Sequence, residues 1–495
     1  MMNPAGASIL AIDQGTTNTK AILVDGAGQV RARASTALSV SYPRPSWVEQ
    51  DAAAIWQSVV QCAAEVLSTA PETPVALGIS NQRESVVLWE RATGEALAPC
   101  VIWQCQRGNA LVETLKQPGV AEDVHRRTGL ELDPMFSASK MRWLLDNTPG
   151  ARQRAAAGEL CLGTIDSWLL FKLTGGRVHA CDMTNASRTL LFNLHTLDWD
   201  DDLLALFGIP RQALPAVQPS TGAVGHTAAE STLPAGIPIA GLIGDSHGAL
   251  VGHAGFAPGA VKATYGTGSS VMTPVATPIL SQRGLSTTIA WSSAEQVTYA
   301  LEGNIYATGA TIGWLGKLFG WPDAAATVTE LATDCPDSEG VYLVPAFVGL
   351  GAPWWNANAR GMIHGLTLGS GAPHLARAAL ESIAYQIYDI FAAVQEEAGI
   401  PLTVLHADGG ASANALLMQF QADLVQCPVL ASTSTDVSAL GAAYLAGLGV
   451  GVWSSTEELI ALQRGDSRFA PQMMADRRDT LLSGWRTALA RVLLP

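Results

Sequence analysis

Positive charge is what this 495-residue chain has least of: 29 Lys and Arg stand against 43 Asp and Glu, a formal net charge of −14, and only 15% of residues are charged at all. Nucleic-acid and anionic-membrane partners need a basic footprint, so neither is expected. Any phosphate the chain binds must be held locally. Cysteine is sparse too. The seven present (Cys62, Cys100, Cys105, Cys161, Cys181, Cys335 and Cys427) are odd in number and form no CxxC pair, which argues against a disulfide framework or zinc site and for a reducing, cytoplasmic setting. No run approaches the ~18 apolar residues of a membrane span, and the N-terminus lacks the basic region and hydrophobic core of a signal peptide. Two common nucleotide-loop patterns are also missing. Without GxxxxGK[ST], or GxGxxG opening a helix, neither a Walker-type ATPase nor a dinucleotide enzyme is expected.

Hydrophobic residues are plentiful, at 48%, enough to bury a sizeable core and argue against disorder. At roughly 100–200 residues per domain, two large domains are the simplest division. The 48 glycines fall in short clusters after apolar runs, which marks turns where backbone approaches something closely.

Three segments read as a strand followed by a polar turn. Ile9–Ile12, Asp13–Lys20 and Ala21–Val24 form one strand–turn–strand unit, and Val261–Thr264, Tyr265–Ser270 and Val271–Met272 form a similar one in the other half. Their likeness predicts a duplicated architecture with one such turn per half. Val404–Ala407 leads through Asp408-Gly409-Gly410 into a helix whose Leu417, Phe420 and Leu424 recur at helical spacing. Ile239–Ile243 reads as a strand ending at Gly244-Asp245, which places the division near residue 250, giving domains 1–250 and 251–495. Residues 376–398 carry Leu380, Ile383, Ile387 and Ile390 on one helical face.

A turn such as Gly15-Thr16-Thr17 offers consecutive backbone N–H groups and two hydroxyls to a phosphate chain, with Lys20 as a nearby charge. Taken alone it is equally an ordinary hairpin loop. The second donor-rich turn, Gly266-Thr267-Gly268, shifts the balance towards a clamp closing on phosphates from two sides.

With these turns stand Asn81-Gln82-Arg83-Glu84, Ile102-Trp103-Gln104, Met135–Asn147, Asp182–Phe192 (DMTNASRTLLF), Thr264–Gly268 (TYGTG), Ala300–Gly303 (ALEG), Pro345–Pro353, Gly361–Glu381, Asp408–Ala411 and Ala439–Leu445. On these stretches, in order over essentially its whole length, the chain resembles the FGGY family of carbohydrate kinases, and within it the glycerol kinases. The resemblance implies an α/β fold of two RNase-H-like domains, of the actin, hexokinase and Hsp70 superfamily, around a central cleft. It also implies an ATP-dependent kinase acting on a hydroxyl of a small polyol or sugar. ATP would lie mainly on the C-terminal half and the acceptor mainly on the N-terminal half, with a homodimer or homotetramer left open.

By position, the resemblance puts Thr16, Thr17, Lys20, Gly266 and Thr267 at the phosphates and Gly309, Gly410, Ala411 and Asn414 around the nucleotide. Asp245 would be the catalytic base, because phosphoryl transfer needs a carboxylate that orients the acceptor hydroxyl and takes its proton. An isolated strand-end Asp more often caps a helix. Asp13 and Asp245 would hold Mg²⁺, while Asp408 reads as structural. Arg83, Glu84 and Trp103 match the acceptor-binding set, a charged pair and an aromatic wall. Cys105 reads as structural, and His247 as a hydrogen-bonding neighbour.

Departures from the glycerol-kinase pattern cluster at the acceptor. Met135, Ser246 and Ser270 stand where those relatives typically have Tyr, Gln and Phe; Lys20 replaces an Arg and Gly313 a Gln. Three polarity and volume changes together predict an altered acceptor larger than glycerol, such as a tetritol, pentitol or ketopentose. The segment before Ile237 lacks the Gly-Arg pattern of members inhibited by fructose 1,6-bisphosphate, so weak or absent inhibition is expected. The alternatives are a xylulokinase-like ketopentose kinase and, from another class, an actin- or Hsp70-like ATPase switch.

Overall fold

The computed structural model describes residues 6–70, 73–462 and 465–494. Two mixed sheets organise the chain. The first contains β1 (Ser8–Gln14), β2 (Asn18–Asp25), β3 (Val30–Ala37), β4 (Ala76–Asn81), β5 (Thr221–His226) and β6 (Pro238–Gly244), ordered β5-β6-β4-β1-β2-β3. The strands β1, β2 and β3 form an antiparallel meander, and β4 and β6 add in parallel beside β1.

After helix α1 (Asp245–Gly252), the second sheet repeats the plan with β7 (Ala260–Tyr265), β8 (Ser269–Val275), β9 (Ser286–Ser292), β10 (Val297–Ile305), β11 (Val404–Asp408), β12 (Val429–Ala431) and β13 (Ser467–Phe469). Its order is β9-β10-β8-β7-β11-β12-β13, again an antiparallel meander joined to parallel strands. The duplicated strand–turn–strand pattern is therefore a duplicated sheet. In the first turn, β1 and β2 pair as far as Asp13 opposite Lys20 and Gln14 opposite Thr19, so the turn proper is shorter than the sequence suggested.

Strand periodicity fixes which residues face which layer. Leu10, Ile12, Ala21 and Leu23 point to one core with Ile55, Val59 and Cys62 of helix Ala52–Ser68. Their alternates Ile9, Ala11, Ile22 and Val24 point to another, with Ala439, Ala442, Ala443, Ala446 and Trp453. Those last residues come from the far end of the chain. Among the described elements, each sheet's strands lie on one side of residue 250, but helix Val437–Val450 packs on the first sheet and on α1. The crossing is close enough that a Cβ at Gly441 would lie 1.9 Å from Gly248 O.

In the second half, α2 (Gly309–Phe319) follows β10. The long helix α3 (Ala372–Ala398) buries Leu380, Ile383, Ile387 and Ile390 as expected from their spacing. The helix expected directly after Asp408-Gly409-Gly410 starts later. A short 3₁₀ turn, Gly410–Ala413, intervenes, and α4 (Ala415–Val425) begins at Asn414, whose Oδ1 accepts the Leu417 N–H at 2.9 Å. All seven cysteines are free and buried. No helix among the described residues is long and apolar enough to cross a membrane.

Candidate active site

Both donor-rich turns lie at strand ends on the seam between the halves. The first is braced from behind: Gln50 Nε2 donates to Thr16 O at 2.7 Å, Gln82 N to Gln14 O at 2.7 Å, and Trp103 Nε1 to Thr16 Oγ1 at 3.0 Å. The second is held by the start of α2. Gly309 N donates to Gly266 O at 3.0 Å and Ala310 N to Thr267 O at 3.1 Å. Because peptides are planar and trans, carbonyls turned towards the helix leave the N–H groups of Thr267 and Gly268 on the opposite side. Thr17 and Thr267 are exposed, while Gly410 and Ala411 lie on the 3₁₀ turn after β11.

Beyond the turns the site becomes a buried ionic network. Arg83 and Glu84 follow β4, and Glu84 has φ 60°, an unusual conformation for a side-chain-bearing residue. A Cβ at Gly244 would lie 2.6 Å from Arg83 Cγ, so a glycine there lets the arginine stem pass. Arg83 Nη1 reaches Glu302 at 2.8 Å and its Nε lies 3.3 Å from Asp245 Oδ1. Glu84 pairs with Arg188 Nε at 2.7 Å, and Arg188 Nη1 returns to Glu302 at 2.7 Å. Burial pushes the Glu302 carboxyl up, but Arg188 and Arg83 outweigh it and hold it well below the usual carboxylate range.

The same network continues through hydroxyls. Lys262 Nζ donates to Ser246 Oγ at 2.6 Å, Ser246 Oγ to Ser270 Oγ at 2.7 Å, and Ser270 Oγ to Glu302 at 2.8 Å. His247 is fully buried and pushed well below its ordinary value by burial and by Arg83, so it is neutral; its Nε2 lies 3.4 Å from Thr288 Oγ1.

Two carboxylates face the seam. Asp245 opens α1 with its side chain 38% exposed. Burial raises its pKa, with Glu84 adding to the rise and Arg83 opposing it. Asp13, which accepts from Ser80 Oγ at 2.9 Å, is pushed up to about 6 by burial and by the charge of Asp245. Two mutually repelling acids fit a divalent cation that also carries nucleotide phosphates, which usually takes only one or two carboxylates. No cluster of three or more His, Cys, Asp or Glu suited to a metal occurs among the described residues.

The model of the FGGY family of carbohydrate kinases, N-terminal domain, matches residues 8–252, and that of its C-terminal domain matches residues 261–450. The chain belongs to the FGGY family of carbohydrate kinases. A glycerol kinase of Aromatoleum aromaticum is 50% identical over 98% of both chains, and one of Stenotrophomonas maltophilia is 49% identical over 98% of both. Among solved structures, Plasmodium falciparum glycerol kinase with ADP superposes at a TM-score of 0.92, with 33% identity over the whole of both chains. This FGGY chain is thus an ATP-dependent phosphotransferase with an alcohol acceptor, a polyol or sugar kinase. The relatives do not favour the xylulokinase-like or ATPase-switch alternatives.

Several expectations change in this kinase. Arg83 and Glu84 are not partners of each other: they belong to a four-member cluster with Arg188 and Glu302. Lys20 is not a free phosphate-seeking charge, because its Nζ donates to Thr435 O at 2.6 Å and lies 3.6 Å from Asp436. Asn414 spends its side chain on the α4 cap and, through Nδ2, on Thr329 Oγ1 at 2.9 Å. Asp408 pairs with buried His253 at 2.9 Å, a structural tie. Cys105 is buried and accepts from Arg107 Nε at 2.9 Å. Met135 is buried just before helix Ser137–Asn147, whose Ser137 Oγ donates to Glu84 O at 3.1 Å, beside the cluster. Position 313 has open space around it.

Arg188, Glu302 and Lys262 were not singled out from sequence. The available signal was a charge inside an apolar strand, as in Ala300-Leu301-Glu302 and Val261-Lys262-Ala263.

Proposed function

We propose that Asp245 is the base of the phosphoryl transfer and that the acceptor is a polyol or sugar larger than glycerol. The observation that carries the first part is the grip on Asp245: Arg83 holds one oxygen while Glu302 anchors the other end of the guanidinium, leaving the carboxylate oriented and partly open to the seam. In this reading an acceptor hydroxyl donates to Asp245 as its oxygen attacks the γ-phosphorus, and the carboxylate takes the proton as the new bond forms.

Thr16, Thr17, Gly266 and Thr267 hold the phosphates through hydroxyls and outward N–H groups. Gly309, Gly410, Ala411 and Asn414 shape the nucleotide side, Asn414 by position, and Lys20 contributes only if it leaves Asp436. Arg83, Glu84, Trp103, Met135, Ser246 and Ser270 frame the acceptor. Half 1–250 therefore serves mainly the acceptor and half 251–495 mainly ATP, in the cytoplasm. Mg²⁺, held by Asp13 and Asp245, would neutralise phosphate charge when bound with the nucleotide.

The altered acceptor rests on Ser246 and Ser270, whose side chains are shorter than those that typically stand at these positions in glycerol kinases. Glycerol itself is the second reading, favoured by relatives of that name at 50% and 49% identity. Comparing kcat/KM across glycerol, erythritol, xylitol and xylulose, with products identified, decides between them. A clear glycerol optimum removes the enlarged pocket.

A further inference from the structure

The row of hydrogen bonds from Lys262 to Glu302 has a fixed polarity. Lys262 is fully buried, and an ammonium donates and never accepts. At the other end an ionised carboxylate accepts and never donates. Between them Ser246 Oγ and Ser270 Oγ each own one proton. Ser270 must give its proton to Glu302, Ser246 must give its own to Ser270, and Lys262 supplies Ser246. Each serine oxygen is left with one free lone pair and no free proton. The two serines are only 7% and 8% exposed, and Ser246 is the neighbour of Asp245.

A second observation comes from the adjacent strand. Asn304 on β10 is paired directly across from Ser270 on β8, and such cross-strand neighbours are close enough to share a ligand. Asn304 is 9% exposed, and its Nδ2 is buried with no hydrogen-bond partner among the described residues. This corner of the site therefore combines two oxygens that only accept with one amide that has a donor to spare.

We propose that Lys262, Ser246, Ser270 and Asn304 form a subsite that selects a hydroxyl over a carbonyl, so that the acceptor is a polyol rather than a ketose. An alcohol O–H donates to a serine lone pair and accepts from Asn304 Nδ2, satisfying both. A ketone oxygen accepts only, and when it takes the amide proton its lone pairs face those of Ser270. Lys262 and Glu302 are positioning residues here: they orient the serine protons without touching the acceptor. This inference rests on the kinase reading above and narrows its acceptor class.

The test uses the full chain and matched acceptor pairs: glycerol with dihydroxyacetone, erythritol with erythrulose, and xylitol with xylulose. The alcohol of each pair that is turned over should be preferred in kcat/KM by about tenfold or more, the scale of an unmatched polar group. Ser270→Ala should bring that ratio close to one, Lys262→Met should do the same by freeing the Ser246 proton to reorient, and Ser270→Thr should keep it. Ser270→Ala carries the test if Lys262→Met does not fold. A wild-type preference for the ketone, equal use of both, or an unchanged ratio in folded Ser270→Ala overturns the subsite while leaving the kinase intact. Failure to phosphorylate any alcohol or ketose overturns the kinase reading itself, and the subsite with it.

Discussion

The two sides of the seam are built from different materials. The proposed nucleotide side is mostly backbone: two hairpin turns and a 3₁₀ turn, braced from behind by Gln50, Gln82 and the start of α2. The proposed acceptor side is mostly buried charge, with Arg83, Arg188 and Lys262 set against Glu84, Glu302 and Asp245. A chain of net charge −14 can hold an anionic nucleotide with N–H groups and hydroxyls because these add no charge to desolvate. Three of its 29 cations, Arg83, Arg188 and Lys262, are buried together on the proposed acceptor side. Charges on the acceptor side compensate one another locally, so removing one exposes its partners.

That contrast can be broken most severely at Arg188, which is fully buried between Glu84 and Glu302. Arg188→Met leaves Glu84 unpaired and Glu302 with Arg83 alone, and should cost about 3–5 kcal/mol in denaturant unfolding; a loss within error of zero would mean that the network is not what stabilises this side.

Asp245→Asn should lower kcat by at least about 10²-fold, as single-turnover measurements would register. Near-normal turnover would remove Asp245 from the mechanism.

A milder break crosses the seam's two materials at the hydrogen bond from Trp103 to Thr16. Trp103→Phe keeps an aromatic wall but loses the donor, at about 1 kcal/mol, so the KM for ATP should rise about fivefold. An effect confined to the acceptor's KM would show that the wall and the phosphate turn act separately.

The smallest effect at neutral pH concerns the buried groups of the acceptor-side half. Burial, with Arg91 nearby, pushes His179 down to about 3 from an ordinary 6.5. Between those values the unfolded chain binds a proton that the folded chain refuses, so stability is retained above about 6.5 and lost progressively towards about 3. His179→Phe should flatten the fall of Tm over that window, and an unchanged slope would place the acid sensitivity elsewhere.

The same contrast explains what could be read from sequence. Glycine turns after apolar runs are local signals, so Gly15–Thr17, Gly266–Gly268 and the strands around them were legible, as was the face of Leu380, Ile383, Ile387 and Ile390. The pairing of charges was not. Arg83 and Glu84 are neighbours in sequence, yet their partners lie at Glu302 and Arg188, and only the folded sheets bring those together. Lys20 looked free because Thr435 and Asp436 arrive from the far end of the chain. For the same reason no cut near residue 250 could show that Val437–Val450 would cover the first sheet. Its small residues fit a close helix crossing, but their partner is fixed by tertiary packing.

The central claim is that this seam transfers phosphate to a small hydroxyl. Phosphorus NMR of the full chain with ATP, Mg²⁺ and a panel of polyols and sugars tests it most directly. The account predicts ADP and an acceptor phosphomonoester in equal amounts, formed only when acceptor is present and abolished in Asp245→Asn. ATP consumption that proceeds without any small hydroxyl and yields only inorganic phosphate would contradict it.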